Sequence, residues 1–132
     1  MTTQATGGFK VQSWDEEAYA ELDEGVKLTR ASVTQAFTGD LEGEGAAEWL
    51  MCARADGSAD FVGLVRVAGR LGGREGSFVL ENRGTFDGKT AEGPWSVVPG
   101  SGANALAGLR GDGRFSAPLG GDATLTLAYD FG

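Results

Sequence analysis

Histidine is absent from this chain, and cysteine occurs once, at Cys52. Without imidazole there is no Ser–His–Asp or Cys–His nucleophile system, and a lone thiol makes neither an intrachain disulfide nor the usual Cys/His zinc site. Positive charge is also in short supply: 11 Lys and Arg stand against 19 Asp and Glu, a net charge of −8 with no basic run. Such a surface repels phosphate backbones and anionic headgroups, so neither nucleic acid nor membrane is expected as a partner. No apolar run is long enough to cross a bilayer, and Met1–Gly8 has no basic segment followed by an apolar one. A cytoplasmic location is therefore expected.

Glycine, in contrast, is abundant, with 23 in 132 residues. Many backbone positions can thus take positive φ or approach a neighbour closely, which suits turns and bends better than long helices. The length fits a single domain over residues 1–132, one that should bury roughly two thirds of the surface its unfolded chain exposes.

Segments between the turn signals are rich in Val, Leu, Thr, Phe and Trp and often alternate by twos, the period of a half-buried strand. Eight strands are predicted, near Phe9–Trp14, Val26–Phe37, Ala46–Ala53, Phe61–Ala68, Ser77–Phe86, Thr90–Val98, Leu106–Phe115 and Ala123–Phe131. The acidic stretch Asp15–Gly25 is expected to connect the first two, with room for a helical turn or two. Asp87-Gly88 is a hairpin signal. In the last strand Leu125, Leu127, Tyr129 and Phe131 share one face, as a sheet with one buried side requires.

The third strand differs, because Ala47, Trp49 and Met51 alternate with Leu50 and Cys52, leaving apolar groups on both sides. Its outer side is expected to meet the segment Glu17–Leu22 or a second subunit, which makes a homodimer the expected assembly. Short consecutive strands with scarcely a helix form a meander whose edges need protection, and closure provides it. The predicted fold is therefore all-β, an eight-stranded antiparallel closed barrel, just wide enough to be filled by side chains or to hold one small ligand.

Trp14, Trp49, Trp95 and Tyr129 would pack that barrel or line its pocket, and Met51 shares the face of Trp49. Glu16 closely follows Trp14 at a strand end. Gly100-Ser101-Gly102-Ala103-Asn104-Ala105 matches a G-x-G-x-x-A pattern, but glycines at 108 and 111 break the helix that a pyrophosphate would need. Ser101 has no histidine to take its proton, so its remaining role is a hydrogen-bond donor at a barrel mouth. The acidic cluster Asp15, Glu16, Glu17, Glu21, Asp23 and Glu24 lacks the spacing of a calcium loop and is expected to be a solvated connection, with no metal.

Several motifs in order carry a resemblance: Ser13-Trp14-Asp15-Glu16, Lys27-Leu28-Thr29-Arg30-Ala31-Ser32-Val33, Gly39-Asp40-Leu41-Glu42-Gly43, Gly76-Ser77-Phe78-Val79-Leu80 and Val97-Val98-Pro99-Gly100-Ser101-Gly102. From Phe9 to Phe131 the chain resembles a bacterial family classed as a domain of unknown function, DUF3224, with an allene oxide cyclase-like barrel. That resemblance implies an interior cavity open at one end, frequent dimers and no established reaction. Where relatives carry Gln-His after Phe-Val-Leu, this sequence has Glu81-Asn82. Asn82 cannot replace a histidine acid or base, though an inward carboxamide can hydrogen-bond a carbonyl.

Three functional readings follow. The first is binding of a small apolar or aromatic metabolite in the barrel, without a cofactor, with Trp14, Trp49, Met51, Phe78, Trp95, Ser101 and Tyr129 as candidate contacts. The second is a cofactor-independent cyclase or isomerase acting on a polyketide- or lipid-like substrate, in which Glu16 or Asn82 would polarise the substrate. The third is a structural dimerisation domain with a filled core.

Overall fold

In the computed structural model, which describes residues 2–131, one antiparallel sheet curls until its first and last members meet. The strands are β1 (Thr3–Glu21), β2 (Lys27–Gly39), β3 (Leu41–Ala53), β4 (Ala59–Leu71), β5 (Arg74–Phe86), β6 (Thr90–Val97), β7 (Ala103–Asn104), β8 (Leu109–Pro118) and β9 (Ala123–Phe131). Eight of them close the barrel through β4–β5 and β1–β9 pairing, while the two-residue β7 adds only to β5. The expected architecture is therefore the observed one. Alternation drives it: along β2 the buried residues are Thr29, Ala31, Val33, Gln35 and Phe37, each separated by a residue that is not.

Two expectations are corrected. Asp15–Gly25 is not a connection with helical turns, because β1 continues through it to Glu21 in register with β2, leaving only the single 3₁₀ turn Asp23–Gly25. The ladder satisfies backbone groups that a solvated loop would leave to water. Nor does Glu17–Leu22 cover the outer side of β3, since as part of β1 it lies beside β2 in the sheet, and Leu50 remains half exposed.

β1 is longer than its second neighbour. It pairs with β2 from Gly7 to Glu21 but with β9 only from Thr3 to Phe9, so among the described residues nothing pairs with the far edge of residues 11–21. Register irregularities fall between Val11 and Ser13 and between Ala18 and Ala20.

The two ends of the barrel are unlike. At one end the connection between β6 and β8 folds under the barrel and places Leu106, 1% exposed, across the opening. Its own turns hold it, Leu106 N–H donating to the Ala103 carbonyl and Leu109 N–H to that of Leu106, while Ala105 N–H donates to Glu75 on β5. Leu41, Leu71, Phe78 and Leu109 pack beside it, all nearly inaccessible. At the other end the β3–β4, β5–β6 and β8–β9 turns surround an opening that no segment among the described residues crosses. The second and third of these turns are tied together by Leu119 N–H donating to the Lys89 carbonyl at 2.7 Å.

Candidate functional site

The opening leads into a cavity of about 1120 Å³, mouth included. One run of cross-strand partners explains its shape: Ala31, Trp49, Gly63, Asn82, Trp95, Gly113, Leu127 and Ala5 follow one another from β2 round to β1. Large and small residues alternate, so each indole lies over a neighbour with no side chain. A Cβ at Gly63 would run into the Trp49 ring, and one at Gly84 into the ring of Phe61. Those glycines give the rings room to lie along the wall instead of projecting across the hollow.

The rings form one continuous string. Centroids are 5.7 Å apart for Trp14–Trp49, 5.5 Å for Trp49–Phe61, 6.1 Å for Phe61–Phe115, 5.3 Å for Phe115–Trp95, 6.4 Å for Trp95–Phe9 and 5.6 Å for Phe9–Phe37. All are tilted, within the separation range aromatic pairs favour. Every member except Phe37 lines the cavity, and Phe86 and Met51 complete the wall nearer the mouth.

Polar groups are few and distributed by depth. Asn82 is buried, and its side-chain oxygen accepts a hydrogen bond from Trp49 Nε1 at 3.0 Å. Trp95 Nε1 donates instead to the Thr126 carbonyl at 3.0 Å. Gln35 is buried on the wall, and its Oε1 has no hydrogen-bond partner. Charged side chains line only the entrance: Lys10, Glu16, Arg54 and Asp122. Among the described residues the buried core contains no ionisable group other than the Tyr129 phenol, as expected from the cost of desolvating a charge.

The candidates named from sequence separate into two sets. Trp14, Glu16, Trp49, Met51, Asn82 and Trp95 come together on the cavity wall. Glu16 stands at the mouth, where its carboxylate accepts from Trp14 Nε1 at 2.8 Å, and Trp14 itself is half exposed. Phe78, Tyr129 and Ser101 lie elsewhere. Phe78 is buried in the closed half, and Tyr129 packs edge-on against Phe131. The Ser101 hydroxyl accepts the Val79 backbone N–H at 3.0 Å, pinning the plug connection to β5 at the end opposite the mouth. Among the described residues no group of three or more potential ligands could hold a metal ion, and no helix is long and apolar enough to cross a membrane.

Sequence reasoning passed over Phe9, Phe61, Phe86, Phe115 and Gln35. The first four sit on inward positions of alternating strands, a signal followed for Trp49, Met51 and Phe78 but not for the other phenylalanines. Gln35 was findable too, as the polar residue between Val33 and Phe37 on the apolar face of β2.

A profile described as "Protein of unknown function (DUF3224)" matches residues 5–129. The chain is similar over its whole length to a crystal structure of a protein of unknown function from Shewanella oneidensis MR-1, itself placed in that family. Identity is 37%, the TM-score is 0.86, and the match covers 100% of this chain and 98% of the other. No curated protein matches the chain.

Proposed function

The chain belongs to the DUF3224 family, and we propose that it binds a small, uncharged apolar or aromatic molecule inside its barrel. The observation that carries this reading is the aromatic string around a hollow closed at one end. Cavities that take small molecules are typically about 300–1,000 Å³, mostly apolar, with a few placed polar groups. Here the wall is aromatic, two carboxamides supply the polar points, and ions stay at the rim. A charged guest would be stripped of water at depth with no counter-ion to meet it, so the site favours neutral ones.

Turnover is the weaker reading of the same space. Its acid-base groups are confined to the entrance, and the Asn82 oxygen already accepts from Trp49. A neutral guest held against Asn82 therefore meets a positioning group and no proton donor or acceptor of matched strength.

The test uses N-phenyl-1-naphthylamine, a neutral dye that fluoresces in apolar surroundings, titrated into the full chain. Saturable binding of one dye per chain is expected, with Kd on the order of micromolar. Ala91→Trp, which places an indole in the hollow from the mouth side, is expected to weaken it at least about tenfold while circular dichroism stays unchanged. Absence of saturable enhancement with the wild-type chain, or equal enhancement with Ala91→Trp, rejects the reading.

A further inference from the structure

Two buried amides on the cavity wall have hydrogen-bonding capacity that the chain itself leaves unused. Trp49 Nε1 is a donor only, so the Asn82 oxygen has to face it, as it does at 3.0 Å. That bond fixes which way the amide points and leaves the Asn82 Nδ2, with its two hydrogens, as the free end. Among the described residues it is the one side-chain hydrogen bond that Asn82 makes. Gln35 is also buried, 3% exposed, and its Oε1 accepts from nothing. A buried acceptor in that state costs stability until a donor reaches it.

Register places these amides at one depth. The run of partners that leaves β2 at Ala31 reaches β1 at Ala5, and β1 pairs Gly7 with Gly39, so one circuit of the barrel slips by about ten residues towards the closed end. Shared among eight strands, that is a little over one residue for each strand crossed, and about four for the three steps from β2 to β5. Asn82 is the member of the run on β5, and Gln35 stands four residues beyond Ala31 on β2. The two therefore lie level. Because the strands are tilted, β2 leads away from β5 as it descends, which sets Gln35 and Asn82 across the hollow from each other.

The geometry points to a guest that lies across the barrel: a neutral aromatic molecule with a carbonyl that accepts from Asn82 Nδ2 and, at its other side, a hydroxyl that donates to Gln35 Oε1. This rests on the reading that the barrel binds a small uncharged molecule, and it adds which polar groups that molecule carries. The last torsion of a glutamine turns easily, so the Gln35 oxygen swings from the wall to the hollow as a donor arrives. A carboxylate would also accept from Asn82, but it would carry a charge to a depth where no cation meets it, since Lys10 and Arg54 stay at the entrance. A carbonyl makes the same bond without that cost. The rings of the wall then hold the aryl groups, and the amides set their orientation.

Displacement of N-phenyl-1-naphthylamine from the full chain by compounds of similar shape tests it. 4-Hydroxybenzophenone carries both groups, benzophenone the carbonyl, 4-benzylphenol the hydroxyl and diphenylmethane neither. Each group favours water, so without a partner in the cavity it weakens binding. With the partners described, each is expected to tighten binding about fivefold. Gln35→Leu is expected to remove the gain from the hydroxyl and keep that from the carbonyl, and Asn82→Leu the reverse. If Asn82→Leu does not fold, benzophenone against diphenylmethane on the wild-type chain still measures the carbonyl contact. Equal or falling affinities on a chain that binds the dye would mean that water satisfies both amides, which overturns this inference and leaves binding in the barrel intact. Gains that survive both substitutions overturn it too. A chain that binds no dye fails the underlying reading, and this one with it.

Discussion

The closed and open ends of this barrel are built from the same strands, and their side chains differ in kind. Under Leu106 the interior is mainly aliphatic, with Leu41, Leu71 and Leu109 almost fully inaccessible. Toward the mouth it is aromatic, with rings laid over glycines and a hollow left between them. Branched aliphatic residues interdigitate and fill space, whereas flat rings against bare backbone line it. One half thus secures the fold, and the other keeps the interior accessible.

The sharpest way to break that contrast is to cut the closed end. Leu71→Ala removes a side chain with no exposure and is expected to cost about 2–5 kcal/mol in urea unfolding. Dye affinity of the folded fraction should stay within about twofold, because Leu71 does not line the cavity. A comparable loss of affinity would mean that the two halves are coupled.

Trp49→Phe probes the boundary between them. It leaves the buried Asn82 oxygen without its donor, an expected cost of about 1–3 kcal/mol, and it should also weaken dye binding. If stability falls and binding does not, Trp49 belongs to the framework alone. Gln35→Leu runs in the other direction, since it removes a buried oxygen that has no partner. A stability gain of about 1 kcal/mol is expected from thermal unfolding.

Acid gives the smallest effect, and of the two ends it reaches the mouth. The Asp87 carboxylate accepts the backbone N–H groups of Thr90 and Lys89, and these bonds hold it below its ordinary value of 3.8. Asp56 is lowered by the hydroxyl and then the backbone N–H of Ser58. A depressed carboxyl contributes stability that is fully present above its unfolded value and lost as pH falls through the folded one. Amide exchange at Ser58, Lys89 and Thr90 should therefore quicken as pH drops below about 3.8, after correction for intrinsic exchange, while Leu106 and Leu109 stay protected. Equal loosening at both ends would remove the distinction.

Much of this architecture was legible in the alternation of the strands, most clearly in Ala123–Phe131, whose observed bounds equal the expected ones. The acidic run after Trp14 misled, because charge content was read as a sign of solvated loop. Strand residues on an exposed extension can be charged at every position, as Asp15, Glu16 and Glu17 are, and pairing with β2 alone defines them. Trp14, Trp49 and Trp95 were identifiable as wall residues by size. Ser101 and Phe78 were not placeable, because which end a plug connection seals depends on how the barrel closes, a long-range fact absent from local pattern.

The unpaired margin of β1 bears on how these molecules behave in a crowd. A bare strand edge is a template for another chain, and here it carries Asp15, Glu16, Glu17 and Glu21 along with two breaks in register. Two such margins brought together would crowd four carboxylates from each molecule, and that repulsion opposes pairing of two barrels through this edge.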